Sequence, residues 1–177
     1  MRELKRAVPP EEKLLRSEAI MHQVEQLPEF REARVVLLYW SMADEVQTHS
    51  FVERWYREKT LLLPCVEGDD LLLRQYTGPD CMVSGEQFGI GEPAGRDRMG
   101  AAGSDVWSNL MAVELIVVPG VAFDSMGNRM GRGRGFYDRL LKSTKQAVKI
   151  GVAYGFQLLD EIPVEPHDVK MNLVIHD

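Results

Sequence analysis

Apolar residues along the chain fall into short solid runs separated by stretches with helical spacing. Residues 35–40 (Val35, Val36, Leu37, Leu38, Tyr39, Trp40), 61–63, 71–73, 115–118 and 148–153 are nearly continuous apolar blocks. Blocks of three to six residues, nearly all apolar and without alternation, predict strands buried on both faces, as in a covered parallel sheet. Between them, residues 11–27 place Leu14, Leu15, Ala19, His22 and Val24 at roughly helical spacing, with acids after Pro9 and Pro10 and a stop at Pro28. Residues 48–59 repeat the pattern with Phe51, Val52, Trp55 and Tyr56. Pro64 is expected to halt the strand before it, and Gly68, Asp69 and Asp70 to turn the chain into an antiparallel neighbour over 71–76. Residues 77–105, rich in Gly, Asp and Pro, predict a long surface loop. A short strand at 173–175 closes the chain. Strands alternating with helices predict a single α/β domain: a mostly parallel sheet flanked by helices, a Rossmann-like three-layer sandwich with ligands at the strand C-terminal ends.

The most informative segment follows the block at 115–118. After Pro119 and Gly120, a loop alternates Gly127, Gly131, Gly133 and Gly135 with Arg129, Arg132 and Arg134, then enters Phe136, Tyr137, Asp138, Arg139, Leu140 and Leu141 as the first turns of a helix. Strand, glycine loop and helix start together suit a phosphate. Glycines let the backbone approach, the helix start adds partial positive charge, and guanidinium groups match phosphoryl oxygens. The spacing is neither GxGxxG nor a P-loop. A flexible turn with solvated arginines and an RGG-like nucleic-acid segment are the alternatives, and the position between a buried strand and an amphipathic helix counts against both.

Charge sharpens that reading. The 177 residues carry 21 basic and 27 acidic side chains, a formal charge of −6, with 45% apolar and 27% charged residues. No general nucleic-acid footprint exists. Residues 129–142 nevertheless hold five Lys/Arg against one Asp, a local +4, which points to a small anionic ligand. No apolar run is long enough for a membrane span and no secretory segment opens the chain, so a cytoplasmic location is expected. Cys65 and Cys81 form no CxxC motif and are expected reduced, and the histidines are scattered, so zinc is not expected. Asp138, one turn past the glycine loop, is either a magnesium ligand or a partner of the helix dipole. Asp168 reads alone as a turn residue. Trp40, Met42 and Glu45 follow a strand end, offering either a flat wall with an acceptor or a core Trp beside a solvated turn.

The run Pro119-Gly120-Val121-Ala122-Phe123-Asp124, followed by residues 127–138, closely resembles the signature of the 5-formyltetrahydrofolate cyclo-ligase family. Residues 39–48, 62–64, 89–93 and 166–168 are similar to its weaker landmarks in the same order. The resemblance implies an ATP- and Mg²⁺-dependent conversion of 5-formyltetrahydrofolate to 5,10-methenyltetrahydrofolate with release of ADP and phosphate. It implies ATP contacts at Arg129, Met130, Gly131, Arg132, Gly133, Arg134, Gly135, Phe136 and Tyr137. Arg132, Gly133, Arg134, Gly135 and Phe136 would also face the folate, with Trp40 and Glu45 at the pterin end. Arg132, Arg134 and Tyr137 would act in catalysis, and Asp138 and Asp168 would hold magnesium. Folate and ATP are the expected small-molecule partners, without nucleic acid or membrane. The sequence does not reveal the oligomeric state, and a monomer is expected. Two departures stand out. Phe136 replaces the commoner first tyrosine of a Tyr-Tyr-Asp ending. The family's basic Lys-x-x-Leu-Arg arm is expected to be missing or truncated within residues 1–9, leaving Arg2, Lys5 and Arg6. A non-catalytic nucleotide- or RNA-binding module on the same fold is the alternative reading, with a structural interaction protein as a third.

Overall fold

The structure is a computed structural model that describes residues 1–68, 70–85, 89–166 and 168–177, with the side chains of Arg2, Lys5 and Arg6 outside that description. The basic remnant at the N-terminus, Asp69 of the expected turn and His167 of the last landmark therefore lie outside the described residues.

The elements run α1 (Arg2–Ala7), α2 (Pro10–Gln26), α3 (Pro28–Glu32), β1 (Val35–Leu37), α4 (His49–Trp55), β2 (Thr60–Glu67), β3 (Asp70–Gln75), β4 (Met82–Ser84), β5 (Gly91–Pro93), α5 (Arg96–Met99), β6 (Leu115–Val118), β7 (Ala122–Asp124), β8 (Arg129–Met130), α6 (Phe136–Ser143), β9 (Val148–Ala153), β10 (Leu158–Leu159) and β11 (Leu173–His176). The main sheet has the order β11-β9-β6-β1-β2-β3. All pairs are parallel except β2 with β3, where Leu62 faces Gln75 and Glu67 faces Asp70. The α/β class and the mostly parallel sheet flanked by helices are as the apolar blocks predict.

Period-two geometry sends neighbouring residues of one block to opposite faces. Val36, Leu61, Leu63, Leu115, Val117, Ile150 and Val152 meet Ile20, Met21 and Val24 of α2, Phe30 of α3 and Phe51 and Val52 of α4. Leu37, Leu62, Ile116 and Val118 face the other way, onto Phe123 of β7 and Leu140 and Leu141 of α6. Both faces are covered, which is why the blocks contain no polar alternation.

Four expectations need correction. Helix α2 forms over the predicted span, but Leu14 and Leu15 are 47% and 67% exposed, and its buried face is Ser17, Ile20, Met21 and Val24. Strand β1 stops at Leu37, leaving Tyr39 and Trp40 in the loop beyond it, and α4 ends at Trp55. Pro64 does not end β2, which continues to Glu67. The Leu38 amide donates to the Leu62 carbonyl (2.9 Å), so Leu62 and, two residues on, Pro64 direct their backbone toward β1. Strand β1 has ended by that level, and the missing N–H of Pro64 costs no ladder bond. Lastly, residues 77–105 are not one loop. They carry the β4–β5 hairpin (Met82 opposite Pro93) and α5.

A small second sheet, β10-β7-β8, packs beyond the end of β6. Nothing in the apolar pattern announces strands of two or three residues.

Leu63 is fully buried between β2 and the α2–α4 layer. Its truncation to Ala should lower unfolding free energy by about 2–5 kcal/mol, measured by chemical denaturation. A loss below about 1 kcal/mol would mean the layer is not packed as described.

Candidate functional site

Strand β1 pairs with β2 on one side and β6 on the other, so the connections leaving its C-terminal end and that of β6 diverge there. A crevice at such a switch point is where open parallel sheets bind ligands. Here a cleft of about 530 Å³ opens over the strand ends. Its walls are Tyr39, Trp40, Met42 and Glu45 after β1, Pro119 to Val121 after β6, and residues 129–138 of the glycine loop and first turn of α6. Ile90, Gly91 and Glu92 of the hairpin, Pro64 and Val66 of β2, Leu71 of β3, and Ile162, Pro163, Glu165 and Asp168 complete it. Trp40, Glu45, Arg129 through Asp138, and Asp168 were each singled out from sequence. The fold brings all of them to this one cleft.

The glycine loop is shaped locally. Gly133 and Gly135 have φ of +88° and +68°, the left-handed region that side chains disfavour. Gly135 is the residue before α6, so its turn points the helix start into the cleft. The base of the loop is held by Asp124, which is 2% exposed. One carboxylate oxygen accepts the amides of Met126 and Asn128 (both 2.9 Å). The other accepts the Asn128 side-chain amide (2.8 Å) and the Ile162 amide (3.1 Å). One buried carboxylate thus ties the β7–β8 turn to the segment that ends at Asp168. Burial works to raise the Asp124 carboxyl, but the bonds from Asn128, Ile162 and Met126 prevail and hold it below its ordinary value.

The three loop arginines all line the cleft, each with its own partner. Arg129, with a side chain only 6% exposed, donates to Asp138 (2.8 Å) and to the Pro119 carbonyl (3.3 Å), and its guanidinium lies 5.5 Å from the Tyr137 ring centre. Arg132 reaches across the cleft to Asp44 (2.8 Å) and Glu45 (3.4 Å). Arg134 lies over Phe136 at 5.9 Å. Burial, with the Glu45 charge adding to it, pushes the Tyr137 phenol up against the opposing pull of Arg129. It is a neutral hydrogen-bonding group at any ordinary pH.

On the opposite wall, Trp40 stacks on His49 (ring centres 4.0 Å apart, 18° between planes) and lies near-parallel to Tyr76 at 5.9 Å. Burial pulls the His49 imidazole below its ordinary value, against the opposing effects of a bond to the Ser41 carbonyl and the Glu53 charge. Glu45 is 8% exposed and accepts the Met42 amide (3.0 Å). It is a buried acceptor on a structured turn, and the solvated-turn alternative does not describe it.

Among the described residues, no three His, Cys, Asp or Glu side chains converge as a metal-binding group. Asp138 and Asp168 line the same cleft, Asp138 oriented by Arg129 and Asp168 accepting the Glu165 amide (2.7 Å). An all-oxygen pair of carboxylates fits magnesium, which is usually held by one or two carboxylates together with substrate phosphates and water. It would not make a site for a softer metal. No helix among the described residues is long and apolar enough to cross a membrane.

Sequence reasoning missed Ile162, and it gave no role of their own to Asp124, Tyr39 and the hairpin residues Ile90 to Glu92, which it named only within longer stretches. Asp124 stood inside a quoted motif, but only its four hydrogen bonds identify its part. The hairpin fell within a stretch read as a loop.

Comparison with known proteins places these features in context. The model of the 5-formyltetrahydrofolate cyclo-ligase family matches residues 1–177. A 5-formyltetrahydrofolate cyclo-ligase of Haemophilus influenzae is 33% identical over 164 residues, covering 85% of this chain and 83% of the relative. The mouse (Mus musculus) 5-formyltetrahydrofolate cyclo-ligase is 26% identical over 97% of this chain and 87% of its own. The solved structure of Aquifex aeolicus 5,10-methenyltetrahydrofolate synthetase superposes with a TM-score of 0.84 at 35% identity, covering 98% of this chain and 84% of that one.

Replacing Asp124 with Asn should cost about 1–3 kcal/mol, because an amide nitrogen would then face the donors of Asn128 and Ile162. A carboxyl held low in the folded state stabilises it above the unfolded pKa, and that stability is lost as pH falls through the folded value. Wild type should therefore lose stability below about pH 4 more steeply than the variant in urea titrations across pH. Parallel acid limbs would show that Asp124 does not hold the loop.

Proposed function

The chain belongs to the 5-formyltetrahydrofolate cyclo-ligase family, and from that premise we propose that its cleft converts 5-formyltetrahydrofolate to 5,10-methenyltetrahydrofolate at the expense of ATP. One observation carries the reading. Residues that the resemblance assigns to pterin, nucleotide and magnesium come from three distant segments, around 40–45, 129–138 and 168, and all line one cleft of about 530 Å³.

The chemistry follows from the substrate. A formyl group on nitrogen is a poor electrophile because the nitrogen lone pair delocalises into the carbonyl. Transfer of the terminal phosphoryl group of ATP to the formyl oxygen creates a leaving group. The N10 lone pair then attacks the formyl carbon and closes the five-membered ring, N10 gives up its proton to solvent, and phosphate departs with that oxygen. Phosphoryl transfer of this kind is governed by positioning and electrostatics. Arg132 and Arg134 supply mobile positive charge for the phosphoryl oxygens, and the neutral phenol of Tyr137 donates a hydrogen bond at the helix start. Residues 129–137 receive the polyphosphate, with residues 132–136 also turned to the folate. Trp40 offers a rigid wall for the flat pterin, and Glu45 accepts its N–H groups. Asp138 and Asp168 would hold magnesium, which when bound neutralises charge on the phosphates.

The direct test is to mix the protein with 5-formyltetrahydrofolate, ATP and magnesium and follow the methenyl chromophore. ATP-dependent product is expected. Nucleotide binding without product would leave a binding module in its place.

Two variants examine the assigned roles. Asp138→Asn should reduce turnover by roughly 100-fold or more, while costing about 1–3 kcal/mol of stability because buried Arg129 loses its partner. Full turnover in the folded variant would make Asp138 only an anchor for Arg129. Glu45→Gln should raise the KM for folate about 10- to 100-fold, the scale of a lost charged hydrogen bond, with little change for ATP. Equal effects on both substrates would remove Glu45 from the pterin subsite.

A further inference from the structure

A buried hydrogen-bond chain behind the cleft wall has no part in the chemistry above. Tyr154 is the first residue after β9, fully buried, its ring stacked on Phe156 with centres 5.4 Å apart. Its hydroxyl lies 2.9 Å from the Glu45 carbonyl and 3.0 Å from the hydroxyl of Ser17 on α2, itself 1% exposed. The Gln47 amide donates to the same Ser17 oxygen at 2.9 Å.

Each hydroxyl has one proton, and counting them fixes the direction of the chain. A carbonyl cannot donate, so Tyr154 must give its proton to Glu45. By the same count Ser17 gives its proton to the Lys13 carbonyl, 2.7 Å away, as serines within helices commonly bond four residues back, while its oxygen accepts from Gln47. With both protons given to carbonyls, the 3.0 Å approach of the two hydroxyls is a contact and not a further full bond. The result is a circuit of two adjoining anchors: the Gln47 amide donates to Ser17, and Tyr154 donates to the Glu45 carbonyl. The pair ties the cleft loop to α2 at residue 47 and to the end of β9 at residue 45. The Gln47 side-chain amide reinforces it from inside, donating to the carbonyls of Met42 (2.9 Å) and Glu45 (3.0 Å).

We propose that Tyr154, with Ser17, is a positioning residue that holds the Glu45 backbone so that its carboxylate faces the folate, making these two hydroxyls determinants of folate recognition although neither touches the ligand. The inference rests on the reading of Glu45 as the pterin acceptor. A buried carboxylate on an eleven-residue loop (38–48) would otherwise sample several orientations, and recognition by hydrogen bonds to a flat heterocycle is sensitive to small displacements. Burial of the circuit strengthens each bond and leaves water no access to replace a lost one. The helix α2 thereby contributes to the site without presenting any residue to it.

The test uses Tyr154→Phe, which keeps the ring and its stacking, and Ser17→Ala, assayed well below their melting temperatures beside Glu45→Gln and the double variant Tyr154→Phe/Glu45→Gln. Both hydroxyl deletions should raise the folate KM about five- to tenfold, the scale of one net hydrogen bond, with the ATP KM and kcat within about twofold of wild type. In the Glu45→Gln background the added Tyr154→Phe effect should shrink below about twofold, because the two act through one interaction. Loss of stability alone would not split the two KM values. If Glu45→Gln raises the folate KM and the hydroxyl deletions do not, or if the effects simply multiply, the circuit is structural only and the inference fails while the assignment of Glu45 stands. If Glu45→Gln itself leaves the folate KM unchanged, the assignment of Glu45 fails and the inference falls with it.

Discussion

Parallel pairing on both flanks of β1 is the constraint from which the rest of the molecule follows. Three residues, Val35 to Leu37, hold register with β2 on one side and β6 on the other. Because both of these pairs are parallel, the chain must leave both β1 and β6 at the same end of the sheet. The two departing segments are the ones that carry Trp40 and Glu45 and the glycine loop. Parallel strands bury both faces, so apolar side chains dominate the blocks and chemistry is confined to the connections. The shortness of β1 matters as well. By ending at Leu37 it frees Tyr39 to Glu45 from the sheet and opens the space above the continuing β2 into which Pro64 and Val66 project.

Electrostatics then organises the cleft. Three acids and two guanidinium groups bind the loops to one another: Arg129 to Asp138 within the glycine loop and α6, and Arg132 to Asp44 and Glu45 across the opening. The first pair is mostly buried and fixes the start of α6. The second is half-exposed, worth little in free energy, and easily exchanged for a ligand's own charges. A fixed pair and an exchangeable one make a site that is shaped in advance yet able to trade protein contacts for phosphate contacts.

Legibility in the sequence tracked the range of the interactions involved. Residues 115–118 and 148–153 read as buried strands because burial on both faces leaves an unbroken apolar signature. Gly133 and Gly135 read as a turned loop because backbone geometry is local. The wrong face of α2 has the opposite origin. Leu14 and Leu15 fit helical spacing as well as Ile20 and Met21 do, and only the position of the sheet decides which side is covered. Pro64 misled for a similar reason, since a missing N–H ends a strand only where a neighbour needs it. Asp124, Tyr154 and Ser17 were invisible because their importance lies in partners 30 to 137 positions away along the chain, as with Ser17 and Gln47, Ser17 and Tyr154 or Asp124 and Ile162. The candidate site itself was legible chiefly because its residues sit in a contiguous motif with a family resemblance.

The antiparallel strand β3 does more than finish the sheet. Beyond it, residues 106 and 107 run along its outer side: Arg74 bridges to Val106, and the Trp107 amide donates to the Leu73 carbonyl at 2.7 Å. An exposed strand edge is a template on which another chain can add itself, the first step toward aggregation and fibril growth. Here that template is already occupied by the protein's own backbone, while the opposite boundary, β11, offers only four residues. A fold whose working end must stay open is thus covered along part of its flank by a two-residue segment of its own backbone.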